Sequence, residues 1–286
     1  MQHSLKAGTQ HYLPVGLVVC ALALCACSPV STGGVETVVP QHALTRIAQR
    51  GDTTWDLVAL RDSTPAGYGV GADNSYVQGY AEYIEQDLGV DVVVHNWATN
   101  STRTVAEWAE QVRNNDELRD NLRNAEVITI WLGWHDVIPN IGVPRGGPCY
   151  PRTQEVDVDC LAKVTTQMET AFEELLSEVA SLASPTETLI RIADVGIPPV
   201  FVAGWKEDGT FDALQRHAYE VWREYIVQAA GRHGVYVVNT YEVLNGPNGD
   251  QEMSPDYVQS DGLHLNEQGH RLLADRHREV GYEYLR

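Results

Sequence analysis

The sequence predicts an α/β protein of three layers, in which a doubly wound, five-stranded parallel sheet lies between two layers of helices. Five short and nearly continuous apolar runs are typical of parallel strands that are covered on both faces. Longer segments with apolar residues three or four positions apart separate these runs, as expected of amphipathic helices. Their alternation predicts right-handed βαβ units, with ligand chemistry at the carboxyl ends of the strands.

The predicted strands span residues 55–60, 90–95, 127–132, 189–194 and 235–239. Helical spacing is clear in residues 76–88, 105–112, 168–182 and 214–225, and a last helix is predicted to begin near Glu267. Each helical segment falls between two strands or after the last one, as crossovers in a parallel sheet require. We therefore expect residues 51–286 to form one domain.

The N-terminal region has a different character. Its apolar run, residues 13–26, is too short for a membrane span of about 20 residues, follows Lys6 and ends in small residues. Residues 1–26 are therefore interpreted as a signal peptide. The end of this run, Leu24-Cys25-Ala26-Cys27, resembles the lipobox of bacterial lipoproteins, whose last cysteine is lipidated after cleavage. This predicts lipid attachment at Cys27 and a tether over residues 27–50, with ordinary cleavage and free secretion as the alternative.

Composition and charge exclude several classes of partner. The 286 residues include 39 acidic and 20 basic side chains, for a formal charge of −19. Recognition of phosphates needs surplus Lys and Arg, so neither nucleic acid nor an anionic lipid surface is an expected partner. Membrane association is expected only through the lipid anchor. No phosphate-binding glycine motif and no metal-ligand spacing occurs, so the sequence predicts no cofactor and no metal.

Two cysteines lie in or beside the longest aperiodic segment, residues 142–159, which is rich in Pro and Gly. Because disulfides persist in exported proteins, Cys149 and Cys160 are predicted to form a disulfide that staples a surface loop. Closing so short a loop contributes about 3 kcal/mol. A metal site is the alternative, but no second Cys or His pair lies nearby. We expect residues 142–160 to shape a substrate entrance.

Reactive side chains follow the first predicted strand and precede the last helix. Ser63 comes after the first strand and is followed by glycines, so a tight turn can present its hydroxyl as a nucleophile. Asp261 and His264 are three residues apart, so one turn can direct both toward the sheet edge. Either feature alone is more often structural. Together they predict a Ser–His–Asp arrangement.

Four blocks of the sequence resemble the GDSL, or SGNH, hydrolase superfamily of esterases and lipases. The first block, Gly-Asp-Ser-x-x-x-Gly in that family, corresponds to Arg61-Asp62-Ser63 through Gly67. The second and third correspond to Asn96-Trp97-Ala98-Thr99-Asn100-Ser101 and to Gly133-Trp134-His135-Asp136. The last, Asp-x-x-His, corresponds to Asp261 through His264, followed by Asn266 and Gly269. The resemblance extends over residues 55–284.

The resemblance implies a serine hydrolase that cleaves carboxylic esters. Ser63 would be the nucleophile, His264 the general base and Asp261 the carboxylate that orients the imidazole. The oxyanion would be bound by the backbone N–H groups of Ser63 and Ser101 and by the side chain of His135. The expected substrate is a short-chain acyl, carbohydrate or lipid ester, outside the cytoplasm.

Three further residues are expected to line the substrate cleft. Trp134 and Trp97 fall inside the family blocks, where their rings can wall the cleft or stack on a sugar. Arg61 lies two residues before the nucleophile and replaces the glycine of Gly-Asp-Ser. Its side chain either points away from the site or contacts an anionic substrate.

Two other departures concern the oxyanion hole. Ser101 replaces the glycine of the second block but retains a backbone N–H, and His135 replaces the asparagine of the third block but retains a ring N–H. Losing one oxyanion donor lowers kcat by about 10²- to 10³-fold. The alternative to an active esterase is therefore a catalytically weak relative that binds a ligand in the same cleft. The complete set of serine, histidine and aspartate favours the active enzyme.

Overall fold

Five parallel strands form one sheet in the order β2-β1-β3-β4-β5. The strands are β1 (Thr54–Arg61), β2 (Asp91–Asn96), β3 (Val127–Trp131), β4 (Leu189–Asp194) and β5 (Tyr236–Asn239). The computed structural model describes residues 53–98, 103–153 and 155–282. It confirms the predicted fold class, and each strand begins and ends within one residue of its predicted bounds. The order reverses direction at β1, which leaves a crevice above the carboxyl ends of β1 and β3.

Helices alternate with the strands along the chain. They are α1 (Tyr76–Leu88), α2 (Val105–Asn114), α3 (Asp116–Asn124), α4 (Trp134–Ile141), α5 (Val158–Leu182), α6 (Pro199–Glu207), α7 (Phe211–Leu214), α8 (Val221–His233), α9 (Tyr241–Asn245) and α10 (Glu267–Glu279). A π-helical turn, Gln215–Glu220, joins α7 to α8, so that the predicted helical segment 214–225 extends through all three. Helix α1 packs against α10, whereas α2 and α8 pack against α5.

Alternate residues of β1 divide the core between the two faces of the sheet. Leu57 and Ala59 are fully buried in a cluster with the apolar side of α1. Val58 and Leu60 are fully buried in a second cluster with α2, α5 and α8. Because side chains on a strand point alternately to opposite faces, an uninterrupted apolar run is what such a doubly covered strand needs.

Four of the described helices, α3, α4, α6 and α9, were not predicted from the sequence. Helix α3 is mostly polar, with Leu118 and Leu122 as its buried residues, and α4 contains Pro139. Helix α6 begins within the pair Pro198-Pro199. Pro198 is extended, but Pro199 is the first residue of α6, where the missing N–H is not needed.

The structure joins Cys149 to Cys160 by a disulfide, with their Cα atoms 5.3 Å apart. The expectation that this segment is a surface loop is wrong at its centre, because Cys149 and Tyr150 are buried in the core. The Tyr150 hydroxyl donates to the Asp208 carboxylate, at 2.9 Å. The segment therefore packs against the end of α6 instead of lying free on the surface.

The chain divides into two units, Met1–Glu36, which lies outside the described residues, and Thr37–Arg286, which contains all of them. The predicted signal peptide, tether and lipid site at Cys27 lie outside the described part of the chain, as do Ser101 and the side chain of Arg61. Within the described ranges, no helix is both long and apolar enough to cross a membrane.

Candidate active site

Ser63 lies in a tight turn directly after β1. The Tyr68 N–H donates to the Ser63 carbonyl at 3.2 Å, and the Gly67 N–H donates to the Thr64 carbonyl at 3.0 Å. Gly67 has a φ of +72°, and a Cβ at this position would collide with the carbonyl of Gly71. The turn therefore requires glycine four residues after the serine. It presents the Ser63 hydroxyl at the carboxyl end of the strand, 3.2 Å from Nε2 of His264.

Asp261 makes three hydrogen bonds within the turn that carries His264, two of them with His264 itself. Its Oδ2 lies 2.7 Å from Nδ1 of His264, and its Oδ1 accepts the backbone N–H groups of Leu263 and His264 at 2.9 and 3.0 Å. Burial raises the pKa of Asp261, but these hydrogen bonds outweigh it and hold that pKa below the ordinary value. An ionised carboxylate at Nδ1 keeps the proton there, so Nε2 is free to accept the Ser63 proton.

The third block forms the first turn of α4. Gly133 precedes the helix with a φ of +125°, and a Cβ there would collide with the ring of Trp222. His135 follows and lines the same cavity as Ser63 and His264. Burial lowers the pKa of His135, opposed by the charge of Glu107 and assisted by His264. At neutral pH the ring is therefore uncharged and carries one N–H donor.

Asp136 connects this turn to the neighbouring helix. Its Oδ2 accepts the backbone N–H of Val105, the first residue of α2, at 3.0 Å. Burial raises the pKa of Asp136 to about 6, partly offset by the Val105 hydrogen bond and reinforced by the nearby charge of Glu107. The Asp136 side chain thus links the first turns of α2 and α4. Its raised pKa means that folding disfavours the ionised carboxylate.

Replacement of Asp136 by asparagine is expected to stabilise the protein in a pH-dependent way. Asparagine retains an acceptor for the Val105 N–H but carries no charge. Because the pKa is raised to about 6 in the folded chain, the native state binds more protons than the unfolded state between about pH 4 and pH 6. The favourable contribution of the protonated group is therefore lost as pH rises through this window.

The Asp136→Asn variant is expected to exceed the parent in unfolding free energy by about 1–3 kcal/mol near pH 8, with little difference near pH 4. Urea unfolding at both pH values measures this. Asp91→Asn, at an exposed carboxylate on β2, is the matched control. An equal difference between variant and parent at both pH values would contradict the expectation.

A cavity of about 390 Å³ opens beside Ser63 and His264. Its wall is largely apolar and is formed by Trp131, Trp134, Ile138, Pro139, Val143, Val195, Pro198, Leu244, Met253 and Leu263. The ring of Trp134 is buried and stacks on Phe201, with centroids 5.2 Å apart. The described polar side chains of the lining are Asp62, Ser63, Thr64, Tyr68, His135 and His264. Among the described residues, no three His, Cys, Asp or Glu side chains are placed to hold a metal ion.

Of the two tryptophans predicted to line the cleft, one lies in the described cavity wall and the other does not. Trp134 lines the cavity. Trp97 does not line it in the described part of the chain: its indole N–H donates to Asn121 of α3 at 2.9 Å, and its ring packs on the core. The segment 142–160, expected to shape the entrance, contributes Val143 to the described lining. Helix α4 contributes more of the lining than this segment does, with Trp134, His135, Ile138 and Pro139.

Several lining residues were not identified from the sequence. Trp131 ends β3, a position that the strand pattern could have marked as facing the crevice. Leu244 and Met253 come from the segment after β5, where no motif indicates a site. Tyr68 covers one face of the His264 ring, and its position five residues after the nucleophile carries no family signature.

The fold and the site place the chain in a known class of hydrolases. The model of the GDSL-like Lipase/Acylhydrolase family matches residues 62–272, and the chain belongs to this family of ester hydrolases. No curated protein matches the sequence.

Solved structures show the same fold. A lipase from a goat rumen metagenome, Lip_vut3, has a TM-score of 0.59 at 19% identity, covering 81% of this chain and 100% of its own. The protein TesA has a TM-score of 0.53 at 15% identity, covering 77% and 94%. An acetyl xylan esterase, AlAXEase, has a TM-score of 0.52 at 11% identity, covering 79% and 98%. At these identities the likeness is one of fold.

Proposed function

We propose that the protein is an exported serine hydrolase that cleaves carboxylic esters through an acyl-enzyme at Ser63. The observation that carries this proposal is the continuous chain of hydrogen-bonding contacts from the Ser63 hydroxyl through the His264 ring to the Asp261 carboxylate. A serine hydroxyl is a weak nucleophile unless a neutral imidazole takes its proton during attack. The geometry supplies that base within hydrogen-bond reach.

The proposed reaction has two halves. In the first, the Ser63 oxygen attacks the ester carbonyl while Nε2 of His264 takes the hydroxyl proton. The tetrahedral intermediate then expels the alcohol, which receives that proton, and leaves an acyl group on Ser63. In the second half, Nε2 takes a proton from water as the water oxygen attacks the acyl-enzyme. Collapse of this second intermediate releases the acid and returns the proton to Ser63.

The developing negative charge on the carbonyl oxygen needs hydrogen-bond donors. We assign this role to the backbone N–H groups of Ser63 and Ser101 and to the ring N–H of His135. His135 supports the assignment because it lines the cavity beside Ser63 and is uncharged at neutral pH. A neutral imidazole donates one hydrogen bond, as the asparagine of the family pattern does, without attracting an anion into the site.

Replacement of His135 by alanine is expected to lower kcat by about 10²- to 10³-fold, the usual cost of one oxyanion donor. His135→Asn, which restores the family residue, is expected to recover most of that loss because the amide also donates. Steady-state kinetics with p-nitrophenyl esters measure both variants. Equal kcat in the parent and in His135→Ala would remove His135 from the oxyanion hole.

The substrate class follows from the wall of the cavity. Aromatic and aliphatic side chains form most of it, and the described polar lining includes Ser63 and His264 themselves and the neighbours of Ser63 in the chain, Asp62 and Thr64. A sugar ring would leave many hydroxyls without partners there, at a cost in affinity. Of the three ester classes considered, one with an apolar acyl chain fits best. The acyl chain would lie against Trp134 and Met253, with the alcohol directed toward solvent.

A fluorophosphonate probe tests the serine mechanism. The intact protein is incubated with the probe and digested, and mass spectrometry locates the adduct, which is expected on the peptide containing Ser63. The same preparation is assayed with p-nitrophenyl acetate, butyrate and hexanoate, and kcat/KM is expected to rise with chain length. An unlabelled Ser63 together with no ester turnover would favour the alternative, a ligand-binding relative without activity.

Export is proposed from the N-terminal sequence, and the Cys149–Cys160 disulfide supports it because such bonds persist outside the cytoplasm. Mass determination of the mature N-terminus after expression in a bacterial host tests this. A chain that begins at a lipidated Cys27 is expected; one that retains Met1 would contradict export through a cleaved signal peptide.

A further inference from the structure

The ring of Tyr68 covers one face of the His264 imidazole. The two ring centroids are 4.2 Å apart and the planes are inclined by 30°. Tyr68 is 45% exposed, whereas the side chain of His264 is 15% exposed. No hydrogen bond to the Tyr68 hydroxyl occurs within the described ranges of the chain. Among the described residues, the contact of Tyr68 with His264 is therefore made by the aromatic ring.

Gln259 connects the loop of Ser63 to the loop of His264. Its side-chain Nε2 donates to the carbonyls of Tyr68, at 2.7 Å, and Leu265, at 2.8 Å. Its backbone N–H donates to the carbonyl of His264, at 2.8 Å, and the Tyr68 N–H donates to the carbonyl of Ser63. A series of hydrogen bonds thus links the nucleophile turn to the base turn, and it passes through the backbone of Tyr68.

Gly69, the residue after Tyr68, has the backbone conformation and the small size that the contact with Gln259 requires. Gly69 has a φ of +78°, and a Cβ there would collide with the side-chain amide of Gln259. Any other residue would both strain the backbone and push Gln259 away. The turn therefore holds the Tyr68 backbone against Gln259 and leaves the ring over the imidazole.

We propose that Tyr68 is a positioning residue for the general base: its ring holds the plane of the His264 imidazole and stabilises the imidazolium, while Gln259 keeps the ring in place. This inference rests on the proposed function. The face of an aromatic ring is electron-rich and attracts a cation. His264 becomes a cation only as Ser63 attacks, so the attraction is stronger in the transition state than in the ground state. It therefore raises kcat more than it affects KM.

Several other polar groups surround the imidazole, and the Tyr68 variants share all of them. Asp261 bonds to Nδ1 and Ser63 faces Nε2. His135 and the buried Asp62 line the same cavity. A comparison of Tyr68→Phe with Tyr68→Leu therefore isolates the aromatic face, because both variants cover the imidazole with an apolar group and neither has a hydroxyl.

Kinetics of the purified protein with p-nitrophenyl hexanoate test the proposal. The kcat of Tyr68→Leu is expected to be about two- to fivefold below that of Tyr68→Phe, with KM values within about twofold. Gln259→Met, which removes the donors but keeps the side-chain volume, is expected to lower kcat more in the parent than in the Tyr68→Leu background. Equal effects in both backgrounds would overturn the role of Gln259.

A second readout does not depend on turnover. In the Ser63→Ala background, the His264 ring signals are followed by NMR against pH in the Tyr68→Phe and Tyr68→Leu variants. The titration midpoint is expected about half a pH unit lower with leucine, because the protonated ring loses an attractive partner. Equal midpoints with equal kcat would overturn the proposal. If the parent hydrolyses no ester, the proposed function fails, but the midpoints still decide whether the ring stabilises the cation.

Thermal unfolding of each variant separates these effects from folding. Because Tyr68 is nearly half exposed, Tyr68→Leu is expected to remain folded at the assay temperature. Tyr68→Met provides a second apolar, non-aromatic side chain and is expected to behave as leucine does. A methionine variant with the kcat and midpoint of Tyr68→Phe would show that bulk alone accounts for the contact, which would contradict the role of the aromatic face.

Discussion

Ser63→Ala is expected to lower kcat for p-nitrophenyl esters by at least about 10⁴-fold while the protein remains folded. Alanine has no hydroxyl to attack the carbonyl or to carry the acyl group, and water held by His264 is a poor substitute. The hydroxyl makes its described contact with His264 at the cavity rather than in the core, so its loss costs little stability. Steady-state rates and a thermal unfolding curve of the same preparation measure both quantities.

Ser181→Ala is the matched control for this variant, since among the described residues its hydroxyl bonds to the Glu178 carbonyl alone, on the exposed side of α5. The control is expected to retain the parental rate and the fluorophosphonate label on Ser63. If Ser63→Ala retained more than about a hundredth of the parental kcat, the acyl-enzyme mechanism would be wrong. The Asp261–His264 pair would then act on water directly, and the fluorophosphonate adduct would be absent from Ser63.

Asp194→Ala is expected to destabilise the fold by about 3–5 kcal/mol. Asp194 ends β4 and is fully buried. Its Oδ1 accepts the backbone N–H groups of Thr240 and Tyr241, at 2.5 and 3.1 Å, and its Oδ2 accepts Nε of Arg223 at 2.7 Å. Alanine leaves these donors without that acceptor and leaves a partly buried guanidinium without its closest carboxylate.

Equilibrium unfolding in urea near neutral pH measures this loss. Asp194→Asn retains an acceptor for the backbone groups but not the charge, so its loss is expected to lie between those of the parent and the alanine variant. Arg123→Ala breaks an exposed pair with Asp120 and is the control, expected to cost no more than about 1 kcal/mol. A loss below 1 kcal/mol for Asp194→Ala would show that water replaces the carboxylate at no great cost.

The strands and the amphipathic helices were predicted from the spacing of apolar residues along the chain. The continuous apolar run of β1 and the three-to-four spacing of α1 are local signals, since burial on both faces or on one face dictates which residues are apolar. Helices α3 and α4 escaped prediction because one is mostly polar and the other contains Pro139. Helix α3 packs on β1 and α5, and α4 packs on α5, so their positions depend on tertiary contacts rather than on their own pattern.

Some residues of the candidate site were predicted from the sequence, and others were found only in the structure. The sequence by itself determined that a serine follows the first strand and that an aspartate and a histidine share one turn before the last helix. Parallel topology then brings these turns to one edge of the sheet, which is why residues 201 positions apart come within hydrogen-bond distance. Only the tertiary structure decided which other side chains join them. The Tyr68 ring contacts His264 directly and its carbonyl accepts from Gln259, while the Trp97 indole donates to Asn121 of α3. Such contacts depend on how loops pack in three dimensions, and local sequence patterns carry no record of that packing.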